Sequence, residues 1–185
     1  MDRSLELFAY LGAVCDPEIP VLTLRDMGIL RKVERLESGS DLYRKGLAQF
    51  EEVHGGMRPQ EEEVYNIVIS PTYVGCPAMD RMQQDLEEAM FVKQLPFVVT
   101  QQLQPAWTTA WITSEGREKM EAYGIAPPVE GTADKRTLFA DAPTVRCPKC
   151  KSLETKMISA HGSTACKSQY QCQQCLEPFE YFKCL

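Results

Sequence analysis

Six of the eight cysteines fall within residues 147–185, and four of them are spaced to hold a metal. Cys147-Pro-Lys-Cys150 and Cys172-Gln-Gln-Cys175 are two C-x2-C pairs separated by 21 residues. Each pair can wrap one turn around an ion with both sulfurs facing it, and four thiolates at about 2.3 Å make a closed tetrahedral site. Zinc suits such a site; iron, held as in a rubredoxin-type centre, is accepted by the same sulfurs. With no open position for water, the expected role is structural, holding together a piece of about 40 residues that is too small to fold on its core alone. Cys166 and Cys184 are left over. In a zinc ribbon the strands carrying them run antiparallel, so they are either a second thiol pair or two small buried side chains.

Cys15 and Cys76 stand apart from this group. Cys76 precedes Pro77, and proline favours the first position of a helix, which puts Cys76 at the N-cap of a helix over 78–92. Free backbone N–H groups and the positive end of the helix dipole there stabilise a thiolate, a nucleophile or soft-metal ligand that Gly75 and Pro77 leave with little cover. The competing reading is a buried cysteine that only caps the helix. Asp16 and Glu18, in Asp16-Pro-Glu-Ile-Pro20, either form an acidic lip or cap a turn. His54 and His161 are the only histidines, and no Gly-rich phosphate loop is present, so no substrate-type constellation is evident. A thiol enzyme would need a general base beside Cys76, and neither histidine is an obvious one.

The elements that must position these residues follow from periodicity. Leu5, Phe8 and Leu11, with Leu7 and Val14, predict an amphipathic helix over 3–14 that Asp16-Pro17 ends. Turn signals at Asp26 and Gly28 lead into a strand over 29–35, and Val64-Tyr-Asn-Ile-Val-Ile69 predicts a second strand that pairs with it as a hairpin. Residues 37–63, rich in Ser, Gly and Glu, read as a solvated loop, with or without one helical turn around Leu42 to Phe50. Met79, Met82, Leu86 and Met90 mark the helix after Cys76, Phe97–Leu103 a third strand and Thr113–Tyr123 a third helix. The fold class expected is α+β, a small three-stranded sheet with about three helices over residues 1–126. A linker over 127–144 and a zinc ribbon over 145–185 complete the expected order. Trp107 and Trp111 suit either core or interface.

At 185 residues the chain has room for one medium domain and a small appendage, and 44% hydrophobic with 25% charged residues gives it a real core. A net charge of -6 and a pI near 5.1 argue against binding nucleic acid through phosphates. No stretch approaches the roughly 18 apolar residues of a membrane span, and the N-terminus lacks the pattern of a signal peptide. The cytoplasm is the expected compartment, where clustered cysteines bind metal more often than they form disulfides.

Three motifs, Asp16-Pro-Glu-Ile-Pro20, Asp26-Met-Gly-Ile29 and Ser70-Pro-Thr-Tyr-Val-Gly-Cys-Pro-Ala-Met79, resemble the SufT-like domain, small α+β proteins implicated in assembling or delivering iron–sulfur clusters. Trp107-Thr-Thr-Ala-Trp-Ile112, Tyr123-Gly-Ile-Ala-Pro-Pro128, Gly162-Ser-Thr-Ala-Cys-Lys167 and Glu177-Pro-Phe-Glu-Tyr-Phe-Lys-Cys184 narrow the resemblance. Together they are similar to the accessory proteins of the phenylacetyl-CoA ring-epoxidising oxygenase. The resemblance covers nearly all the chain except 37–63, which departs from the family's shorter connection. It implies a non-catalytic maturation factor with Cys76 as the reactive thiol, Asp16 and Glu18 as the acidic motif, Thr72 as the neighbouring hydroxyl and Cys147, Cys150, Cys172 and Cys175 as zinc ligands. It further implies a transient iron–sulfur cluster or iron as cargo, and oxygenase components as partners, above all the iron–sulfur reductase, with a homodimer compatible. The alternative is a structural or docking subunit that never touches a cluster.

Overall fold

The computed structural model describes residues 3–129 and 143–183, which divide into two compact units, Met1–Ala106 and Trp107–Leu185. In the first unit α1 (Arg3–Leu11), β1 (Leu30–Arg35), α2 (Asp41–Val53), β2 (Tyr65–Ile69), α3 (Ala78–Lys93) and β3 (Phe97–Gln101) follow in order. The sheet order is β1-β2-β3, with β1 antiparallel and β3 parallel to β2. Every residue of β2 is buried, as a β-branched and aromatic central strand requires. The expected pairing of 29–35 with 64–69 is present, Val33 facing Ile67 and Arg35 facing Tyr65.

The connection between those strands is not a solvated loop, since α2 occupies thirteen of its residues. Ser40 caps it, its Oγ accepting from Tyr43 N at 3.2 Å, and Tyr43, Gly46 and Phe50 bury one face. Gly46 lies where a Cβ would sit 2.4 Å from Val64 Cγ1 and 3.3 Å from the Phe97 carbonyl oxygen. A glycine inside a helix looks like a breaker in sequence; here it lets the helix lie against the sheet. Residues 12–29 form a plug whose Ile19, Leu22, Leu24 and Met27 are almost fully buried, richer than the short turn expected.

The second unit begins earlier than the expected 126, because Trp107 is buried with its ring edge-on to Phe182 at 6.1 Å. It contains α4 (Ser114–Tyr123), β4 (Ile125–Ala126), β5 (Thr155–Ser159), β6 (Lys167–Cys172) and β7 (Pro178–Phe182). Thr113 Oγ1 accepts from Gly116 N at the start of α4, and Gly124 at φ 98° ends it. The chain then enters β4, parallel to β7, in a sheet of order β4-β7-β6-β5. Ala126, Val145, Cys147, Tyr170, Cys172, Phe179 and Tyr181 form one core cluster. The helix expected to close the first unit therefore packs with the ribbon. Of the expected linker 127–144, residues 130–142 lie outside the described residues.

Candidate metal centre and thiol loop

The two C-x2-C segments fold alike. Lys151 N donates to the Cys147 carbonyl at 3.0 Å and Cys147 N to the Ser152 carbonyl at 2.9 Å. In the second knuckle Cys172 N donates to the Glu177 carbonyl at 3.0 Å and Cys175 N to Cys172 Sγ at 3.4 Å. Each knuckle ends on a residue with positive φ, Lys151 at 66° and Leu176 at 61°. The four sulfurs lie within 4.8 Å of one another, Cys147 Sγ to Cys175 Sγ at 3.8 Å and Cys150 Sγ to Cys172 Sγ at 3.4 Å. A tetrahedron with metal–sulfur bonds of about 2.3 Å has edges of about 3.8 Å, so the cage fits zinc. Donation from the backbone N–H of Cys175 draws the Cys172 thiol down to about 6. The amide of Glu177 pulls the Cys175 thiol the same way, but burial and the neighbouring sulfurs outweigh it and push that thiol up to about 12. A divalent cation removes this repulsion by holding all four as thiolates.

Around the cage, Lys149 Nζ pairs with Glu177 Oε2 at 2.7 Å and Lys151 Nζ with Glu121 Oε1 at 2.9 Å, the latter tying the first knuckle to α4. Cys166 is buried, with its sulfur 3.0 Å from Thr164 Oγ1. Lys183 N donates to the Cys166 carbonyl at 2.9 Å, so Lys183 stands across from it; Cys184, its expected partner, lies outside the described residues.

In the first unit the motif residues leave from one end of the sheet. Ser70, fully buried, receives the end of each neighbouring strand: its N–H donates to the Ile29 carbonyl at 2.9 Å and its Oγ to the Gln102 carbonyl at 2.9 Å. The 12–29 plug enters β1 at this end, and the loop bearing Thr72 and Cys76 leaves β2 there. Asp16 is buried and caps a turn, its Oδ1 accepting from Glu18 N at 2.8 Å and Ile19 N at 2.7 Å, rather than presenting an acidic lip. Glu18 and Thr72 are half-buried. Asp26 and Thr23, not among the expected site residues, brace the plug reciprocally: Asp26 Oδ2 accepts from Thr23 N and Thr23 Oγ1 from Asp26 N, both at 3.0 Å.

Cys76 differs from its expected setting. Pro77 is itself the N-cap of α3, so Cys76 lies one residue outside the helix, and it is buried at 9% exposure where an open thiolate was expected. The helix start is drawn into the core through Ala78 and Met79, which carries the cysteine inward with them. Gly75 at φ 83° makes the turn that allows this.

Fold and site define a protein of two units, a three-stranded α+β unit and a unit built on a four-cysteine Zn2+ ribbon. Comparison with known proteins agrees: residues 131–183 match the PaaD zinc beta ribbon domain. The chain is 39% identical over 181 residues, 97% of its length and 92% of the relative's, to a protein of Escherichia coli (strain K12) whose name makes it one component of a "Putative 1,2-phenylacetyl-CoA epoxidase". The chain belongs to the PaaD family. A crystal structure of a domain of unknown function, DUF59, from Bacillus anthracis aligns with 63% of this chain and 90% of its own at a TM-score of 0.45 and 18% identity.

Proposed function

We propose that this protein is a non-catalytic accessory factor of the phenylacetyl-CoA ring-epoxidising oxygenase, and that its α+β unit assembles or delivers iron–sulfur clusters to the reductase component in the cytoplasm. The observation that carries the accessory role is the likeness, over almost the whole chain, to a relative named as an epoxidase component. For cluster handling, the support is chemical. The ribbon's four ligands are consumed by zinc, and a closed cage has no coordination position to offer a cargo. Of the thiols outside the cage, Cys76 on the Ser70–Met79 loop is the one that the family resemblance implies as transfer ligand, with Asp16 and Glu18 in the plug and Thr72 four residues before it. One thiolate holds a soft metal weakly enough to pass it on when a client supplies the other ligands. His54 lies away from Cys76: its ring is stacked between Phe50 at 3.9 Å and Phe91 at 4.9 Å, near the C-terminal end of α3, whereas Cys76 precedes the N-terminal end of that helix.

A second reading, a docking or structural subunit, draws on the burial of Cys76. Zinc, iron and acid-labile sulfide per chain, measured after anaerobic purification of wild type and Cys76→Ser, separate the two. Cluster delivery predicts zinc in both proteins, iron and sulfide only in wild type, and a reductase short of its cluster in cells relying on the variant. Zinc alone under every reconstitution, with a normally loaded reductase, would establish the docking role.

A further inference from the structure

Four large apolar side chains crowd the surface where α2 and α3 end: Val53, Met57, Phe91 and Val92 are 58, 63, 51 and 73% exposed. His54, the C-cap of α2, stacks on Phe91 of α3 at 4.9 Å, and Met57 N donates to the His54 carbonyl at 3.3 Å, which brings the ends of the two helices together; Val53 and Val92 flank these residues in sequence. Single exposed apolar residues are ordinary, but a contiguous group marks a contact site. His54 Nδ1 donates to the Phe50 carbonyl, and His54 Nε2 is buried without a hydrogen-bond partner among the described residues. The ring thus forgoes a hydrogen bond while bracing Phe91 in an outward position.

The charge around this surface is acidic. Glu52 adjoins Val53, and Glu88 lies one turn before Phe91 and Val92, both exposed. The C-terminal, negative ends of two helix dipoles converge there as well. Of the nearby cations, Arg58 adjoins Met57 and stands 84% exposed with Nε 3.9 Å from Glu51 Oε1, while Lys93 Nζ lies 4.2 Å over the Tyr10 ring. Residues 3–106 carry sixteen Asp and Glu against ten Lys and Arg, so a second copy would meet its own sign.

We infer that this surface docks a basic amphipathic segment of a partner protein. The segment's apolar stripe covers Val53, Met57, Phe91 and Val92, and its Lys or Arg side chains reach Glu52 and Glu88. The inference does not depend on cluster transfer through Cys76.

Fluorescence anisotropy on the full chain tests it, using a labelled helical peptide of about 18 residues with a Leu stripe and Lys flanks. Two control peptides accompany it, one with Glu flanks and one with the same Lys content but a scrambled stripe. Binding of the Lys peptide is expected to weaken at least about ten-fold in Phe91→Ser/Val92→Ser and in Glu52→Lys/Glu88→Lys, and to fall between about 50 and 300 mM salt. Unchanged zinc content and circular dichroism would show both variants to be folded. Equal binding of either control peptide, equal binding by the variants, or no binding at about 1 mM peptide would overturn the inference. So would wild-type self-association in sedimentation velocity that Phe91→Ser/Val92→Ser abolishes, which would make the occupant a second copy.

Discussion

Glu180 of β7 shows how one carboxylate can organise a small unit. Its Oε1 accepts from Ser163 N at 2.7 Å, its Oε2 from Ser163 Oγ at 3.2 Å, and Oε2 lies 3.4 Å from the Nζ of the buried Lys167. Gly162 belongs to the same arrangement, since a Cβ there would sit 2.9 Å from Glu180 Oε1. Burial pushes the Glu180 carboxyl up, but the Ser163 donors and Lys167 outweigh it and hold it below the usual carboxylate range. A depressed folded pKa contributes stability above the unfolded value near 4.3, and that stability is lost as pH falls through the folded value. Glu180→Gln should therefore destabilise the ribbon unit by about 2 kcal/mol at neutral pH. Denaturant titration of the zinc-loaded proteins at neutral pH, where the four thiolates keep the ion, checks it; equal stability would show that the Glu180 charge contributes nothing.

At the scale of elements, the two knuckles carry a local cost. Lys151 and Leu176 adopt the left-handed conformation that disfavours any side chain by roughly 1–2 kcal/mol. The Lys151 side chain is engaged, Nζ reaching both Glu121 and the Pro148 carbonyl, whereas Leu176 is 66% exposed. Leu176→Gly is expected to raise ribbon stability by about 0.5–1 kcal/mol, the relief of strain exceeding the added freedom of the unfolded chain. Lys151→Gly should gain less or nothing. Apparent zinc affinity by chelator competition reads both, because binding and folding of the knuckle are linked. The same scale explains α2: Ser40 and the Tyr43, Gly46, Phe50 face are helix signals, but the acidic and glycine-rich flanks mask them until β2 and β3 provide a surface to bury that face.

At the scale of the whole molecule, each unit has a core of its own and the metal cage belongs to the second. Cys172→Ser removes one zinc ligand and leaves three crowded thiols, so it should lose the ion and unfold β5 to β7 while α1 to β3 stay folded. Because Trp107 and β4 pack with the ribbon, the loss should extend back to α4. Limited proteolysis checks this: cleavage beginning near 107 supports the division, while a protected α4 would return the boundary to 126. Strong chelation of the wild type should reproduce the pattern.

Residue order alone was enough for the metal cage, because C-x2-C is a local pattern: the geometry of a single turn brings both sulfurs to one ion, and two such pairs complete a tetrahedron. The strands at 30–35, 65–69 and 97–101 were equally legible, since β-branched and aromatic runs announce themselves within a few residues. Contacts distant in sequence decided the rest. Cys76 reads as an open helix cap until Ala78 and Met79 are drawn into the core. Asp16 reads as an acidic lip or a turn cap until its carboxylate meets the amides of Glu18 and Ile19. The helix at 114–123 reads as part of the first unit until Ile125 and Ala126 pair with Glu180 and Tyr181, more than fifty residues on. Local chemistry is written in spacing; burial and unit membership are settled by which surfaces meet, and no run of neighbouring residues specifies that.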